Sequence, residues 1–412
     1  MSLSTKTIVL GVSGGIAAYK TCDLVRRLRE HGAQVHVVMT QAACQFVTPM
    51  TFQALSGNPV HTELFDLEQE SKIGHIALAD LPDLIVVAPA TADLIAKTAH
   101  GMCNDLLTTL LCATPRPKLF CPSMNVNMWN NPATRDNVAL LQKRGFHLME
   151  PATGSLACGY EGAGRLPEPE SIVQYIEHFF SEKTLKGTKW MITAGPTWEP
   201  LDPVRHITSP ASGKTGFALA ERAHIKGAEV TLITGPTHLP DPMGVQVIRV
   251  QTAEEMAQAS FKVFPRMNVA VATAAVSDFR PKVPLSQKAK KENASLRLEL
   301  SKNQDILAAL GKLKRKDQVL VGFAAETEKV EEEALRKLRS KNLDLICAND
   351  ISRPGLGFAS EKNQLTLFTP HGEVKTLPIL PKHSLADLLI EAVLEISKEK
   401  NQSRRPKALK LK

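Results

Sequence analysis

Two glycine-rich loops have residue types that could bind phosphate. The first, Gly11-Val-Ser-Gly-Gly-Ile16, stands where a predicted buried strand turns into a predicted helix. Glycine lets the backbone approach a ligand closely, and the start of a helix favours an anion. A phosphate site and a plain tight turn both remain open for this loop. Its spacing is not Gly-x-Gly-x-x-Gly, so the dinucleotide fingerprint is not supported.

The second loop, Ser212-Gly-Lys-Thr-Gly216, contains the end of a P-loop pattern. That pattern requires glycine five residues before Gly213, where the sequence has Thr208. The spacing therefore excludes a Walker A loop, although a glycine loop with a phosphate-facing lysine remains open.

Several single side chains could also do chemistry, but each has an ordinary explanation. Taken alone, His75 is more often a structural histidine than a base, and Cys158 more often an inert thiol. Asn125 alone would be a turn residue. Lys337 and Lys341 are four residues apart and share one face of a predicted helix, which alone indicates a solvated face. The seven cysteines form no Cys-x-x-Cys, so neither a zinc site nor a disulfide framework is indicated.

The elements that must position these residues form two α/β domains. Each begins with a β-turn-α-β unit, one near Thr7 and one near Lys189, and each continues with short apolar runs typical of buried parallel strands. The predicted elements include helices over 16–31, 216–226 and 383–397, and a hairpin over 364–377. The predicted domains are 1–185 and 186–397, followed by a basic, disordered tail at 398–412.

Composition places the chain among ordinary globular proteins. Of its 412 residues, 43% are hydrophobic and 22% are charged, which excludes disordered, collagen-like and disulfide-scaffold classes. The formal charge is +8, but residues 398–412 alone carry seven basic side chains and one acidic. No apolar stretch reaches the roughly 18 residues of a membrane helix, and no signal peptide is evident. We therefore expect a cytoplasmic protein without membrane or nucleic-acid partners.

Ordered motifs in both halves resemble known enzyme families. The first half resembles the homo-oligomeric flavin-containing cysteine decarboxylases, on Ser13-Gly-Gly-Ile16, Gly74-His75-Ile76, Pro89-Ala-Thr-Ala-Asp93, Pro122-Ser-Met-Asn-Val-Asn-Met-Trp129 and Ala157-Cys158-Gly159. The second half resembles phosphopantothenoylcysteine synthetase, on Thr193-Ala-Gly-Pro-Thr197, Asp202-Pro-Val-Arg205, Ser212-Gly-Lys214, Ala274-Ala-Val-Ser-Asp278, Gly322-Phe-Ala-Ala-Glu-Thr327 and Asn342-Leu-Asp-Leu-Ile-Cys-Ala-Asn-Asp350. Together, over about residues 5–397, they resemble the bacterial bifunctional proteins of coenzyme A biosynthesis.

This resemblance implies a fold class and a first active site. The fold would be α/β with two Rossmann-like domains: an N-terminal flavodoxin-like parallel-sheet flavin domain and a C-terminal α/β nucleotide-binding ligase domain. The first would decarboxylate 4'-phosphopantothenoylcysteine with FMN. His75 would be the base, Asn125 would hold the substrate carboxylate, and Cys158, on a mobile glycine-rich flap around 154–164, would protonate the enethiolate. FMN would contact Ser13, Gly14, Gly15, Ile16, Thr40, Thr91, Ala92, Asp93 and Ser123.

For the second half, the resemblance implies a ligase. It would join 4'-phosphopantothenate to cysteine through an acyl-cytidylate, using CTP and Mg²⁺, with metal ligands left unassigned. Lys288 would contact the triphosphate and influence the second half-reaction. The nucleotide site would comprise Ala272, Thr273, Ala274, Asp278, Lys288, Asn303, Gln304, Asp305, Ile306, Leu307, Phe323, Lys337 and Lys341.

The sequence departs from the family patterns at three places. The flavin loop reads Pro89-Ala-Thr-Ala-Asp-Leu94, the form of the bifunctional branch, where the wider family has Pro-Ala-Ser-Ala-Asn-Thr. Ser209 replaces an asparagine thought to help convert the acyl-nucleotide, and Gln304 replaces a proline. A hydroxyl has a shorter reach than an amide. We therefore expect the changes at Ser209 and Gln304 to affect the rate of the ligase more than its chemistry.

The resemblance also implies trimer-based assembly, up to a dodecamer, with flavin sites at subunit interfaces and ligase domains pairing as dimers. Two other functions remain open beside the bifunctional enzyme. The first is a nicotinamide oxidoreductase, which the missing dinucleotide fingerprint disfavours. The second is a non-enzymatic regulator that binds flavin or nucleic acid, suggested by regulatory relatives and by the basic charge.

Overall fold

A computed structural model describes residues 3–64, 75–155, 161–288, 297–326, 330–350, 360, 362–370 and 372–402. The chain divides into two compact units, Met1–Phe180 and Ser181–Lys412. In the part of the chain that is described, no helix is long and apolar enough to cross a membrane.

The first unit is built on a parallel sheet of six strands. In chain order they are β1 (Thr7–Val12), β2 (Gln34–Met39), β3 (Val60–His61), β4 (Leu84–Ala90), β5 (Lys118–Pro122) and β6 (His147–Leu148). The spatial order is β3-β2-β1-β4-β5-β6, and every pairing is parallel. The order reverses between β1 and β4, so this is the switch point at which doubly wound sheets bind ligands.

Helices cover both faces of this sheet. They are α1 (Ala18–Glu30), α2 (Pro49–Ser56), α3 (His75–Asp80), α4 (Ala92–Ala99), α5 (Leu106–Ala113), α6 (Val126–Asn130), α7 (Pro132–Lys143) and α8 (Pro169–Phe180). Successive strand residues point to opposite faces. Ile8 therefore belongs to one core with Leu24 of α1, whereas Val9 belongs to a second core with Leu107 of α5.

A hairpin of β7 (Ala152–Ser155) and β8 (Glu161–Arg165) follows the sheet. Its backbone lies directly on the loop before α6, because a Cβ at Gly164 would stand only 2.3 Å from the Met124 carbonyl oxygen. The predicted flap at 154–164 falls on this hairpin. Its residues 156–160 lie outside the described part of the chain.

The described residues of the second unit form a mixed sheet of eight strands and three small strand pairs. In chain order the strands are β9 (Lys189–Ala194), β10 (Glu199–Pro200), β11 (His206–Ile207), β12 (Glu229–Thr234), β13 (Gln246–Arg249), β14 (Val269–Ala272), β15 (Phe279–Pro281), β16 (Leu300–Lys302), β17 (Val319–Glu326), β18 (Leu345–Asp350), β19 (Lys362–Asn363), β20 (Thr366–Thr369), β21 (Gly372–Thr376) and β22 (Leu380–Pro381). The large sheet has the order β13-β12-β9-β14-β17-β18-β20-β21. Its first six strands are parallel, and β20 and β21 form the predicted antiparallel hairpin at one edge.

Five helices in the described part of the second unit pack on the large sheet. They are α9 (Lys214–Ile225), α10 (Ala253–Val263), α11 (Ile306–Leu313), α12 (Val330–Ser340) and α13 (Lys382–Gln402). Leu232 shares one core with α9 and α13, while its neighbour Ile233 shares the other with α10, α11 and α12. The predicted α/β fold class is therefore confirmed in both units.

The end of the last helix differs from the sequence prediction. We expected the helix to stop at 397 and the chain from 398 onward to be disordered, but α13 continues to Gln402. The longer helix has a tertiary cause that no local sequence pattern reveals. Lys400 Nζ donates to the Gln318 carbonyl oxygen at 2.7 Å and pairs with Asp344 Oδ1 at 2.5 Å. Residues 403–412 lie outside the described part.

Candidate active sites

A cavity of about 890 Å³ opens at the switch point of the first sheet. It lies at the carboxyl ends of β1, β2, β4 and β5, where the loops before α1, α4 and α6 meet. The nine residues predicted to contact the cofactor all line it: Ser13, Gly14, Gly15, Ile16, Thr40, Thr91, Ala92, Asp93 and Ser123. Thus residues spread over more than 100 positions of sequence form one continuous wall.

Hydroxyl groups tie the two loops of the switch point together. Ser13 Oγ donates to the Pro89 carbonyl oxygen at 2.7 Å and accepts from the Thr91 backbone N–H at 3.1 Å. Thr91 Oγ1 in turn accepts from the Leu94 N–H at 3.4 Å and so caps α4. The loops after β1 and β4 are thereby fixed relative to each other before any ligand is bound.

The start of α1 contributes backbone rather than side-chain polarity. Ala17 occupies the cap position, and no side chain satisfies the amides of the first turn. A Cβ at Gly14 would lie 2.4 Å from Ala42 Cβ and 2.9 Å from the Ala42 carbonyl carbon. Glycine at position 14 is therefore required for the loop after β1 to pass under the loop after β2. The Ala18 and Lys20 N–H groups donate to the Gly15 and Ala17 carbonyl oxygens at 2.9 and 3.0 Å. The positive end of the helix, rather than free amides of its first turn, favours an anionic group there.

Three cations that the sequence analysis did not single out also line the cavity. Lys20 Nζ pairs with Glu168 Oε1 at 2.7 Å, and Arg165 Nη2 lies 3.5 Å from the same oxygen. Lys97 pairs with Asp93 at 2.9 Å, one helical turn away. The i,i+4 spacing of Asp93 and Lys97 was a readable signal, whereas Lys20 and Glu168 are separated by 148 positions and leave no local pattern.

The structure places one of the three predicted decarboxylase residues in this cavity. Asn125 lines it and caps α6, with its Oδ1 accepting from the Asn127 N–H at 2.8 Å. That bond orients the amide so that its Nδ2 is the group able to donate to a ligand carboxylate. His75 begins α3, but its side chain is not described, and Cys158 lies outside the described residues.

In the second unit, two of the glycine motifs converge at the carboxyl ends of β9 and β14. A Cβ at Gly216, in the first turn of α9, would lie 2.5 Å from both Ala194 Cβ and Thr273 Oγ1. At Gly213 it would lie 3.4 Å from the backbone of Gly195, and both glycines have positive φ, +80° and +73°. Both the close packing and the backbone conformation explain why these positions are glycine.

Most of the residues predicted to bind the nucleotide lie near the same carboxyl ends of the strands. Thr273 Oγ1 donates to the Thr193 carbonyl oxygen at 2.7 Å, and Ala272 lies opposite Gly322, next to Phe323. The Asn303 backbone N–H donates to the Asp278 carbonyl oxygen at 2.8 Å, which joins β16 to the loop after β14. Ile306 and Leu307 follow in the first turn of α11.

A second, smaller cavity of about 360 Å³ adjoins Asn303 and Gln304. Four residues absent from the sequence prediction complete its wall: Ala253, Glu254, Arg280 and Lys302. Arg280 pairs with Glu254 at 3.1 Å, and Asn303 Oδ1 is buried without a hydrogen-bond partner among the described residues. Ser209 Oγ, at the position of the missing family asparagine, is likewise buried without such a partner.

The predicted lysines of the nucleotide site have different environments. Lys341 Nζ pairs with Asp305 Oδ2 at 2.8 Å. Lys337 is half-buried on α12, four residues earlier. Lys288 is exposed immediately before residues 289–296, which lie outside the described part of the chain. The structure therefore brings Lys341 to the 303–307 segment, and the position of Lys288 relative to it remains a prediction.

Comparisons with known proteins agree with this division into two sites. Residues 1–181 match the family described as Flavoprotein, and residues 185–396 match the DNA/pantothenate metabolism flavoprotein C-terminal domain. A coenzyme A biosynthesis bifunctional protein CoaBC of Vibrio cholerae is 50% identical over 396 residues, which cover 96% of this chain and 99% of that one. The chain belongs to the CoaBC family of bifunctional coenzyme A biosynthesis proteins.

Other members of this family give the same match. The Escherichia coli K12 protein is 48% identical over 98% of this chain and all of its own length, and the Bacillus subtilis protein is 46% identical over 96% and 98%. A crystal structure of the C-terminal domain of a CoaBC protein covers 53% of this chain and all of its own, at 39% identity and a TM-score of 0.46. From the near full-length relatives, the expected bifunctional enzyme of coenzyme A biosynthesis, with a flavoprotein first half, is confirmed.

Proposed function

We propose that this chain ligates 4'-phosphopantothenate to cysteine with CTP and then decarboxylates the product to 4'-phosphopantetheine with FMN. The observation that carries the proposal is the cavity at the switch point of the first unit. In a chain of this family, the nine residues expected to hold FMN line one continuous space. In the second unit, support comes from Ala272 and Thr273, two of the residues expected to bind CTP, which lie at the carboxyl end of a parallel strand.

The residues of the first cavity fit FMN. Its volume of about 890 Å³ lies in the range of cofactor pockets. The positive end of α1 favours the phosphate. Any side chain at Gly14 would collide with Ala42 and narrow the space for the cofactor. When bound, FMN supplies a two-electron oxidation of the substrate thiol and later reverses it, so no net redox change occurs.

The chain's own residues would handle the protons and the carboxylate. His75 would take the thiol proton, a role that suits imidazole near neutral pH. Asn125 would hold the carboxylate through Nδ2, the donor of its amide, while its Oδ1 accepts from the Asn127 N–H. After carbon dioxide leaves, Cys158 would donate a proton to the enethiolate carbon.

In the ligase unit, the lysines would neutralise the charge that develops on the triphosphate. A carboxylate does not condense with an amine at neutral pH. The carboxylate would attack the α-phosphate of CTP and release pyrophosphate, and cysteine's amine would then attack the acyl carbon of the acyl-cytidylate and release CMP. Among the described residues, no group of three or more His, Cys, Asp or Glu could hold a metal ion. Magnesium would enter with CTP, since Mg²⁺ at nucleotide sites is bound largely by the phosphate oxygens.

Assembly is the remaining part of the proposal. Ile16 and Tyr19 line the flavin cavity, yet each is 60% exposed. A second subunit that covers these apolar side chains would complete the site and fit trimer-based assembly in the cytoplasm. His75 and Asn125 of one site would then come from different subunits.

One coupled assay tests both activities. Purified protein is incubated with 4'-phosphopantothenate, cysteine, CTP and magnesium, and products are followed by mass. We expect 4'-phosphopantetheine, its formation to depend on CTP, and FMN to be released on denaturation. A correctly folded preparation that lacks flavin would refute the decarboxylase, and one that forms no phosphopantothenoylcysteine would refute the ligase.

A further inference from the structure

The Asp305 carboxylate serves two partners with its two oxygens. Oδ1 accepts from the Ala308 N–H at 2.9 Å and so caps α11. Oδ2 pairs with Lys341 Nζ at 2.8 Å. The helix cap fixes the direction in which the carboxylate points. Because it cannot rotate without losing the cap, the ammonium bound to its second oxygen is also held in a defined place.

The backbone at Lys341 is fixed by the same helix. Gly311 of α11 packs so closely that a Cβ there would lie 1.9 Å from the Lys341 carbonyl oxygen. Asn342 Nδ2 donates to the Gly311 carbonyl oxygen at 2.8 Å, and Lys314 Nζ donates to the Asn342 carbonyl oxygen at 2.6 Å. The C-terminal half of α11 therefore holds the main chain of Lys341, and the N-terminal cap of α11 holds its side chain.

We propose that Asp305 is a positioning residue that presents the Lys341 ammonium to the nucleotide phosphates. This inference rests on the proposed function, which places Lys341 in the CTP site. A lysine side chain loses several rotatable bonds when it binds a ligand, and a side chain already ordered loses less. An ammonium has three N–H donors, so one can remain on Asp305 while others reach phosphate oxygens.

The negative charge of Asp305 is shared between the Lys341 ammonium and the start of α11. The carboxylate also interacts with the amides at the N-terminus of α11, which stabilise its negative charge. Burial raises the pKa of Asp305, but the hydrogen bonds from Lys341 and from the helix amides outweigh it and lower the pKa overall. The carboxylate is therefore ionised at neutral pH and is shared between the helix and the lysine.

The substitution Asp305→Asn separates these roles. Asparagine has the same size and caps a helix equally well, but it removes the charge that holds the ammonium. We expect the KM and Kd for CTP to rise about threefold to tenfold, with kcat and the unfolding midpoint little changed.

Asp305→Ser, which keeps a capping oxygen, gives the same comparison if the asparagine variant folds poorly. As a matched control, Asp241→Asn removes a carboxylate paired with Arg249 in the same unit and should leave the KM unchanged.

A double-mutant cycle with Lys341→Met decides whether Asp305 acts through the lysine. In the background of the Lys341→Met variant, Asp305→Asn should change the Kd for CTP by less than about twofold, because the ammonium to be positioned is gone. Equal effects in both backgrounds, or a lower KM in Asp305→Asn, would overturn the proposal. A wild-type protein that does not bind CTP would instead contradict the proposed function and remove the basis of both.

Discussion

Gly14 is a residue whose place in the flavin cavity depends on having no side chain. A methyl group there would lie 2.4 Å from Ala42 Cβ, so the substitution Gly14→Ala must displace the loop after β2. Such overpacking costs about 1–3 kcal/mol and would move the walls of the FMN site. We expect Gly14→Ala to lower both the unfolding midpoint and the flavin bound per chain, measured by absorbance after denaturation.

Gly15 provides the matched comparison. A methyl group at Gly15 would be 3.6 Å from its nearest neighbour, Thr91 Cγ2, which is ordinary contact. Gly15→Ala should therefore unfold near the wild-type midpoint. Equal destabilisation by the two substitutions would show that the close approach of Gly14 to Ala42 has no energetic importance.

His36 gives a prediction of how stability depends on pH. Burial lowers the pKa of His36, and the neighbouring His61 lowers it further. The unfolded chain then binds protons more readily than the folded one, so stability falls as the pH drops below about 6.5, the ordinary histidine value. We expect His36→Gln to reduce this loss, measured as the change in urea midpoint of the first unit between neutral and mildly acidic pH. An unchanged pH profile would contradict the assignment.

The residues of the first cavity differ in how far the sequence could predict them. Ser13, Thr91 and Asn125 lie in recognisable loops at strand ends, and the structure brings them to one cavity. Lys20 and Arg165 were missed because they reach the same cavity from α1 and β8, and both contact Glu168. Ion pairs between distant segments depend on the tertiary fold and leave no spacing to read.

At the scale of elements, the end of α13 is held by a buried cluster of charges. The Asp344 carboxylate, 11% exposed, receives Lys314 at 3.0 Å, Lys400 at 2.5 Å and the Leu320 N–H at 2.8 Å. Removing one partner of a buried pair costs more than removing an exposed charge. Lys400 therefore fastens the last turns of the helix to β17 and to the start of β18.

Two truncations test this arrangement. Deleting 403–412 should leave the urea midpoint unchanged. Deleting 398–412 also removes Lys400 and should lower the free energy of unfolding by about 1–3 kcal/mol. We expect both truncated proteins to retain both activities, since Asp344 lies outside the predicted sites. Equal stability of the two would mean that Lys400 contributes nothing, and loss of catalysis would show that the tail belongs to the active machinery.

Strand length explains which elements the sequence could predict. The long apolar runs of β1, β4 and β9 and the hairpin of β20 and β21 have readable patterns. The pairs β10–β11 and β15–β16 have strands of two or three residues, too short for any periodicity. Yet β16 leads directly into Asn303, so short elements without a sequence signal position part of the proposed nucleotide site.

At the scale of the whole molecule, each unit has its own pair of cores. Among the described residues, the members of the two cores of the first unit fall within Leu3–Phe180, and those of the second unit fall within Leu185–Ile396. Lys183 Nζ donates to the Ile225 carbonyl oxygen at 2.8 Å and so belongs to the second unit. A cut after Glu182 would leave every one of these cores intact.

We therefore expect 1–182 and 183–412 to fold when expressed separately. The first should bind FMN and decarboxylate added phosphopantothenoylcysteine, and the second should form that compound from CTP, cysteine and 4'-phosphopantothenate without flavin. When mixed, they should produce 4'-phosphopantetheine after a lag that shortens as 1–182 is added, because the intermediate must diffuse between separate proteins. A ligase half that folds but works only when joined to the flavin half would show that the two activities depend on each other.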